Sequence, residues 1–318
     1  MIKTIQRHYL DTIPIVPRGR IMALGLFDGM HLGHTDIISK TVSLAEKAGI
    51  KSCVQTFSGF DKTGNGMLYT LEERISIMEE LGADEVLILD FPQIRDMTAH
   101  DYCERIIRAA ASPAGIVMGF DYTFGKDRSG DTDYMKQYME EAGIGVRIVK
   151  ERDFKDTGRK CSTTWLKELL EQGGVDTAAE MCGGRYYYYS GTVSHGKQLG
   201  RKLGFPTANI IIPEDKFVVR RGVYVSRVTL GSRTLYGVSN VGRRPTVENA
   251  ESDIIETFIF DFDEDIYGAK IKTELLGFLR PEQAFSGQDE LASRVSADKE
   301  TARRYLEDKG FISKNAVL

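Results

Sequence analysis

The sequence predicts an α/β chain in two parts, a doubly wound parallel sheet followed by an antiparallel β-barrel with a terminal helix. Three observations carry this expectation. Short apolar runs alternate with helical stretches from about residue 20 to 150, the pattern of successive βαβ units. Near Gly183-Gly184 that grammar gives way to alternating strands separated by turns. At 318 residues the chain is also long enough for two hydrophobic cores. The expected domains are residues 1–182 and 183–318.

The elements follow in order. Ile21 to Leu26 reads as the first strand, and Gly33 to Ala48 as a helix with Ile37, Ile38, Val42 and Ala45 on one side and Gly49 as its stop. Lys51 to Phe57 is the next strand, Leu71 to Leu81 a helix, Glu85 to Asp90 a strand, Ala99 to Ala111 a helix and Gly115 to Gly119 a strand. Tyr134 to Ala142 and Val146 to Val149 complete a sheet of five strands, whose ligands are expected at the carboxyl ends. In the second half Gly222 to Leu230, Thr234 to Val241, Ile254 to Phe262 and Ala269 to Leu279 are strand-like, with a hairpin turn at Gly231-Ser232. Asp289 to Asp308 is helical and is expected to pack on the barrel. Tyr186 to Tyr189 reads as a strand alternating between core and rim.

Composition excludes several classes of function. Apolar residues at 42% and charged residues at 28% are those of a globular protein, which argues against disorder. A net charge of −4 leaves no broad basic surface for nucleic acid or an anionic membrane, so any phosphate binding must be local. The apolar runs fall short of the roughly 20 residues of a spanning helix, and the N-terminus lacks the core of a signal peptide, which points to the cytosol. Cys53, Cys103, Cys161 and Cys182 form no CxxC pair and are expected to be reduced, mostly buried thiols.

Two segments carry chemistry. The first strand runs into Phe27-Asp28-Gly29-Met30-His31-Leu32-Gly33-His34, with glycines at the bend and two histidines at the start of a helix. Helix amides and the positive dipole end attract phosphate there, and imidazoles donate hydrogen bonds to phosphate oxygens as charge builds in a nucleotidyl transfer. In the second half, the segment from Gly191 to Asn209 is rich in glycine and cations, including Gly196, Gly200, Arg201, Lys202 and Gly204, as suits a loop around phosphates. It ends on Thr207 and Asn209, whose hydroxyl and amide oxygens are hard ligands suited to magnesium. Strand alternation also puts Glu256 on the face of Phe258 and Phe260, where a carboxylate needs a partner or a function.

The stretch GLFDGMHLGH resembles the HxGH signature of the adenylyltransferase superfamily, in the form found in bacterial bifunctional riboflavin kinase/FAD synthetases. Gly119 to Gly125 resembles that family's GxDFxFG segment, and Ser162-Thr163-Thr164-Trp165-Leu166-Lys167 its SSTxIR segment. The segment from Gly191 to Asn209 resembles its kinase signature GxxxGRxLGFPTAN, and the likeness continues through Asn240 to Thr246, Glu256 and Leu279 to Glu282. The resemblance implies that His31 and His34 contact ATP phosphates, with Phe27, Asp28, Gly29, Gly33, Asp121, Ser162 and Thr163 lining the nucleotide site. Lys167 would stabilise the leaving pyrophosphate. It further implies that Thr207 and Asn209 hold Mg2+, Glu256 is the general base on the ribityl hydroxyl, and Asn240 and Arg280 contact the flavin, although a structural role for Arg280 stays open.

The implied protein is a nucleotidyltransferase domain followed by a riboflavin kinase domain, with ATP as co-substrate and riboflavin, FMN and FAD as its small-molecule partners. Two departures stand out. The family usually has arginine at Lys167, and a lysine is a point charge where arginine is a fork. Its TFxPHP segment survives only as Thr56-Phe57-Ser58-Gly59-Phe60. Three alternatives stay open at this point: a kinase with a weak or inactive first domain, a non-catalytic flavin-binding sensor, and a first domain acting on another phosphorylated alcohol. The oligomeric state is not legible.

Overall fold

A computed structural model describes residues 2–7, 19–59, 64–194, 206–245 and 251–313. The chain divides into two compact units, Met1–Thr163 and Thr164–Leu318.

The first unit is built on six parallel strands in the order β1-β4-β3-β2-β5-β6. These are β1 (Lys3–Arg7), β2 (Arg20–Leu24), β3 (Lys51–Ser58), β4 (Glu85–Asp90), β5 (Gly115–Gly119) and β6 (Gly145–Val149). Five lie where the apolar runs place them. The sixth, β1, is an addition at the sheet edge: its KTIQR sequence has no apolar run, and pairing with β4 makes it a strand. The central strands are buried on both faces, which is why they read as continuous apolar runs.

Helix α1 (Leu32–Ala48) buries Ile37, Ile38, Thr41 and Ala45, and stops at Gly49, whose left-handed conformation lets its amide return to Ala45 and Glu46. Helix α2 (Leu71–Glu80) begins with a reciprocal capping box between Thr70 and Glu73. After the short helices α3 (Phe91–Ile94) and α4 (Ala99–Asp101), the segment expected to be α-helical winds instead as a π-helix, Tyr102–Ala111. It packs Tyr102, Cys103, Ile106 and Ile107 on Met22, Leu24 and Met118 of the sheet. Helix α5 (Thr132–Glu141) adds Met135 and Met139 to that core.

The second unit takes in nearly all of α6 (Thr163–Gln172), then α7 (Val175–Met181) and a six-stranded antiparallel barrel in the order β7-β12-β9-β10-β11-β8. Its strands are β7 (Tyr188–Thr192), β8 (Thr207–Ile211), β9 (Gly222–Leu230), β10 (Arg233–Pro245), β11 (Glu251–Ile259) and β12 (Lys270–Arg280). Just past β7, Ser194 bridges to Asn209 and joins the two ends of the sheet, its amide donating to the Asn209 carbonyl at 2.9 Å. Helix α8 (Gln288–Asp308) lays Ala302 and Leu306 on Val225, Phe260 and Leu276. The Gly231-Ser232 turn joins β9 to β10 as expected.

A second expectation is corrected. Tyr187, Tyr188 and Tyr189 do not alternate between core and rim; all three are buried. Strand β7 begins only at Tyr188, and the buried ammonium of Lys216 lies 5.1–5.7 Å from all three ring centroids, covering what would have been the rim. The Tyr187 and Tyr189 hydroxyls both donate to the Phe217 carbonyl and tie the segment after β8 to β7. All four cysteines are free and buried.

Candidate active sites

In the first unit, sequence-adjacent strands run outward from β2 on one side, toward β3 and β4, while β5 and β6 lie on the other. The crevice at the carboxyl ends of β2 and β5 is the switch point where open parallel sheets bind ligands. The turn after β2 holds Phe27 and Met30 at φ values of 56° and 43°, a left-handed conformation that costs energy in residues other than glycine and is typical of functional turns. His31 closes this turn as the N-cap of α1, its Nδ1 accepting from the His34 amide at 3.4 Å. That contact leaves the imidazole proton on Nε2.

The His31 and His34 rings stack at a centroid distance of 3.9 Å, and Phe27 meets His34 edge-on at 5.4 Å. Burial lowers His31 to about 4. It also holds His34 well below its ordinary value, with the neighbouring His31 adding to the effect. Both are therefore neutral near pH 7 and act as hydrogen-bond donors rather than cations. His34 Nδ1 is buried without a hydrogen-bond partner among the described residues.

The neighbouring motif residues separate into two groups. Gly29 lies against Thr163, whose Oγ1 would be 2.9 Å from any added Cβ, so the histidine turn meets the last residues of the first unit there, with Ser162 immediately before. Gly33 lies against the His31 ring in the same way, and Asp121 stands exposed beside Gly119. Asp28 instead turns inward: its Oδ1 accepts from the Leu68 and Tyr69 amides at 2.7 and 3.3 Å and anchors the chain before α2. Lys167 is buried a turn into α6, in the second unit, with its ammonium 5.3 Å from the Phe217 ring centroid.

Arg74 was missed by motif reading. Its guanidinium donates to the Leu26 and Phe57 carbonyls and to Thr56 Oγ1, tying the carboxyl ends of β2 and β3 together under the turn. Burial lowers it to about 10, with Asp28 opposing the shift. No local signal reveals such a hub, because its partners lie 17–48 residues away in sequence.

In the second unit, strand register does the assembling. Glu256 on β11 pairs with Asn209 on β8 and with Asn240 on β10. Asn240 pairs in turn with Val223 on β9, and Val223 with Arg280 on β12. Directly opposed residues share a face, so these side chains form one transverse row across five strands. Thr207 lies two residues before Asn209, whose Nδ2 donates to the Thr207 carbonyl and Oγ1 at 3.0 and 3.3 Å.

The opposite atom of that amide, Asn209 Oδ1, is buried with no hydrogen-bond partner among the described residues. An orphaned amide oxygen beside a threonine hydroxyl fits a hard divalent cation that takes its remaining ligands from phosphate and water. Gly196, Gly200, Arg201, Lys202 and Gly204 lie outside the described residues. Arg280 is placed at the end of the row with its guanidinium engaged by Asp298 and the Pro281 carbonyl.

Each site converges neutral donors, hard oxygens or a carboxylate, the groups of a phosphate-handling transferase. The FAD synthetase family model matches residues 14–164 and the riboflavin kinase model residues 183–306. The chain belongs to the bifunctional riboflavin kinase/FMN adenylyltransferase family. It is 32% identical to the Bacillus subtilis member over 90% of this chain and 92% of that one. With the Listeria monocytogenes member it shares 30% over 96% and 98% of the two chains, and with that of Escherichia coli K12, 30% over 94% and 96%. A solved structure described as a macrolide-efflux protein from Streptococcus pneumoniae superposes with a TM-score of 0.82 at 29% identity, covering 95% of this chain and 99% of that one. Among the described residues of this chain, no helix is long and apolar enough to cross a membrane.

Proposed function

We infer that the second unit phosphorylates riboflavin with ATP to give FMN, and that the first transfers an adenylyl group from a second ATP to FMN, giving FAD and pyrophosphate. The observation that carries the reading is the transverse row, which brings Asn209, Glu256 and Asn240 side by side from three separate sequence motifs.

In the kinase step, Glu256 accepts the proton of the ribityl 5'-hydroxyl. The freed oxygen attacks the γ-phosphorus, and the bond to the β–γ bridging oxygen breaks to release ADP. Thr207 and Asn209 would hold Mg2+, which when bound neutralises charge on the phosphates. Asn240 orients the flavin beside the carboxylate.

In the adenylyl step, a phosphate oxygen of FMN attacks the α-phosphorus of ATP and pyrophosphate leaves. His31 and His34 are neutral, so they recognise phosphate oxygens by donated hydrogen bonds that strengthen as charge develops. The amides at the start of α1 add the positive end of a helix dipole. Lys167, which the family motif assigns to the leaving pyrophosphate, has its ammonium buried against Phe217 in the second unit and is given no part in this step. Asp28 and Arg74 hold the turn in shape from below.

The near-balanced charge of −4 favours small-molecule partners over nucleic acid or membrane, and the same reading places the enzyme in the cytosol with its ATP. The test is to incubate the protein with riboflavin, ATP and magnesium and to separate the flavins over time. FMN followed by FAD is the expected result. FMN alone would leave only the kinase, and flavin binding without turnover would leave a sensor.

A further inference from the structure

Asp298 lies in no motif, yet it is the most enclosed carboxylate near the kinase row. Its side chain is 6% exposed and that of Arg280 is 12% exposed. Arg280 Nε donates to both carboxylate oxygens at 3.1 and 3.0 Å, Nη2 to Oδ2 at 2.7 Å, and Arg294 approaches Oδ1 at 3.4 Å. This is a fork on a carboxylate, the geometry that fixes a guanidinium in orientation as well as position.

Asp298 stands four residues before Ala302 and eight before Leu306 on α8, in line with the residues that dock the helix on the barrel. Apolar contact alone would seat a helix there at less cost, because burying an ion pair forfeits hydration. The pair contributes position rather than adhesion.

What Arg280 positions is the segment between β12 and α8. Its Nη1 donates to the Pro281 carbonyl at 3.1 Å, and its guanidinium lies 5.8 Å from the Phe285 ring centroid. Between those two points stands Glu282, whose Oε1 accepts from Asn240 Nδ2 at 3.5 Å. Gly242 leaves the room for it, since a methyl group at that position would overlap Glu282 Oε1. Asn240 is the register partner of Glu256.

We propose that Asp298 is a positioning residue of the kinase site: it fixes Arg280, Arg280 shapes residues 281–285, and Glu282 on that segment orients the Asn240 amide beside Glu256. The proposal rests on the kinase reading of the second unit. It makes Arg280 a strut of the site rather than a flavin contact, and it gives Glu282 a specific task.

The experiment measures riboflavin phosphorylation across a riboflavin titration for the full-length protein, Asp298→Asn and Glu282→Ala. Adenylylation of supplied FMN and the melting temperature are followed on the same preparations. Both variants are expected to raise KM for riboflavin about tenfold with kcat within about threefold of the parent, the signature of lost substrate orientation. FAD formation from supplied FMN should be unchanged in both, which a general loss of folding would not allow. Glu282 is exposed, so Glu282→Ala folds whatever Asp298→Asn does. A parental riboflavin KM in Glu282→Ala overturns the proposal, as does a parental KM in a folded Asp298→Asn. If the unmutated protein leaves riboflavin unphosphorylated, it is the kinase reading that fails.

Discussion

The two units bring phosphate chemistry about by opposite constructions. In the first, the proposed site sits on a backbone turn at the end of a parallel strand: Phe27 and Met30 bend with positive φ, and His31 caps the helix where the proposed reading needs a donor. In the second, it sits on side chains within strands, and hydrogen-bond register alone aligns Asn209, Glu256 and Asn240. A turn site tolerates changes in the strands that lead to it but not in its own backbone angles. A register site tolerates changes of backbone angle at its ends but not a slip of one residue, which would turn the whole row to the opposite face.

The sharpest way to separate the two is Glu256→Gln. Riboflavin phosphorylation should fall by about 10²–10⁴ with the loss of a general base, while FMN supplied directly is still converted to FAD. Chromatography of the two reactions side by side reads both outcomes, and equal loss in both would mean the sites are not independent.

The mirror experiment is His34→Ala, expected to cost adenylyl transfer roughly 10²–10³ through one lost donor and to leave the kinase unaffected. Steady-state kinetics with FMN and with riboflavin as separate substrates decide it.

Acid should stress the first site. His31 is held at about 4 in the folded chain against 6.5 when unfolded, so between those values the unfolded state binds the extra proton and stability falls as pH falls. For this group alone the loss is roughly 3 kcal/mol by pH 4, fully absent above about pH 7. His31→Gln should flatten the fall in melting temperature between pH 7 and 4; an unchanged slope would refute the burial argument.

The smallest effect is expected at Gly222, which has φ 147° and whose added methyl would overlap the Arg280 carbonyl. Gly222→Ala should destabilise by about 2 kcal/mol in a denaturant titration, with the riboflavin reaction losing more than the FMN reaction.

Legibility in the sequence divides along the same line. Strands covered on both faces announce themselves by apolar runs: the expected limits of Glu85–Asp90 and Gly115–Gly119 match the structure, while the strand expected at Ile21 to Leu26 runs from Arg20 to Leu24. Strand β1 does not, because KTIQR gains its conformation only from pairing with β4. The Pro-Thr-Ala-Asn segment reads as the end of a loop, yet Thr207 to Asn209 lie inside β8, since register with β11 is a long-range fact. The histidine turn was legible as a site because glycines, strand and helix start are contiguous. Arg74, Glu282 and Asp298 were not, for each works through partners far away in sequence. The tyrosine run misled because the residue that covers it, Lys216, comes from the other side of β8.

The bridge that joins the barrel ends has one more consequence. The Ser194 amide donates to the carbonyl of Asn209, the same residue whose side-chain oxygen is the proposed cation ligand. Closure of the barrel and the proposed loading of the site thus share one residue, and the exchange rate of a single amide hydrogen becomes a gauge of occupancy. Slower deuterium uptake at Ser194 when nucleotide and magnesium are added would report filling of the site without any flavin being turned over.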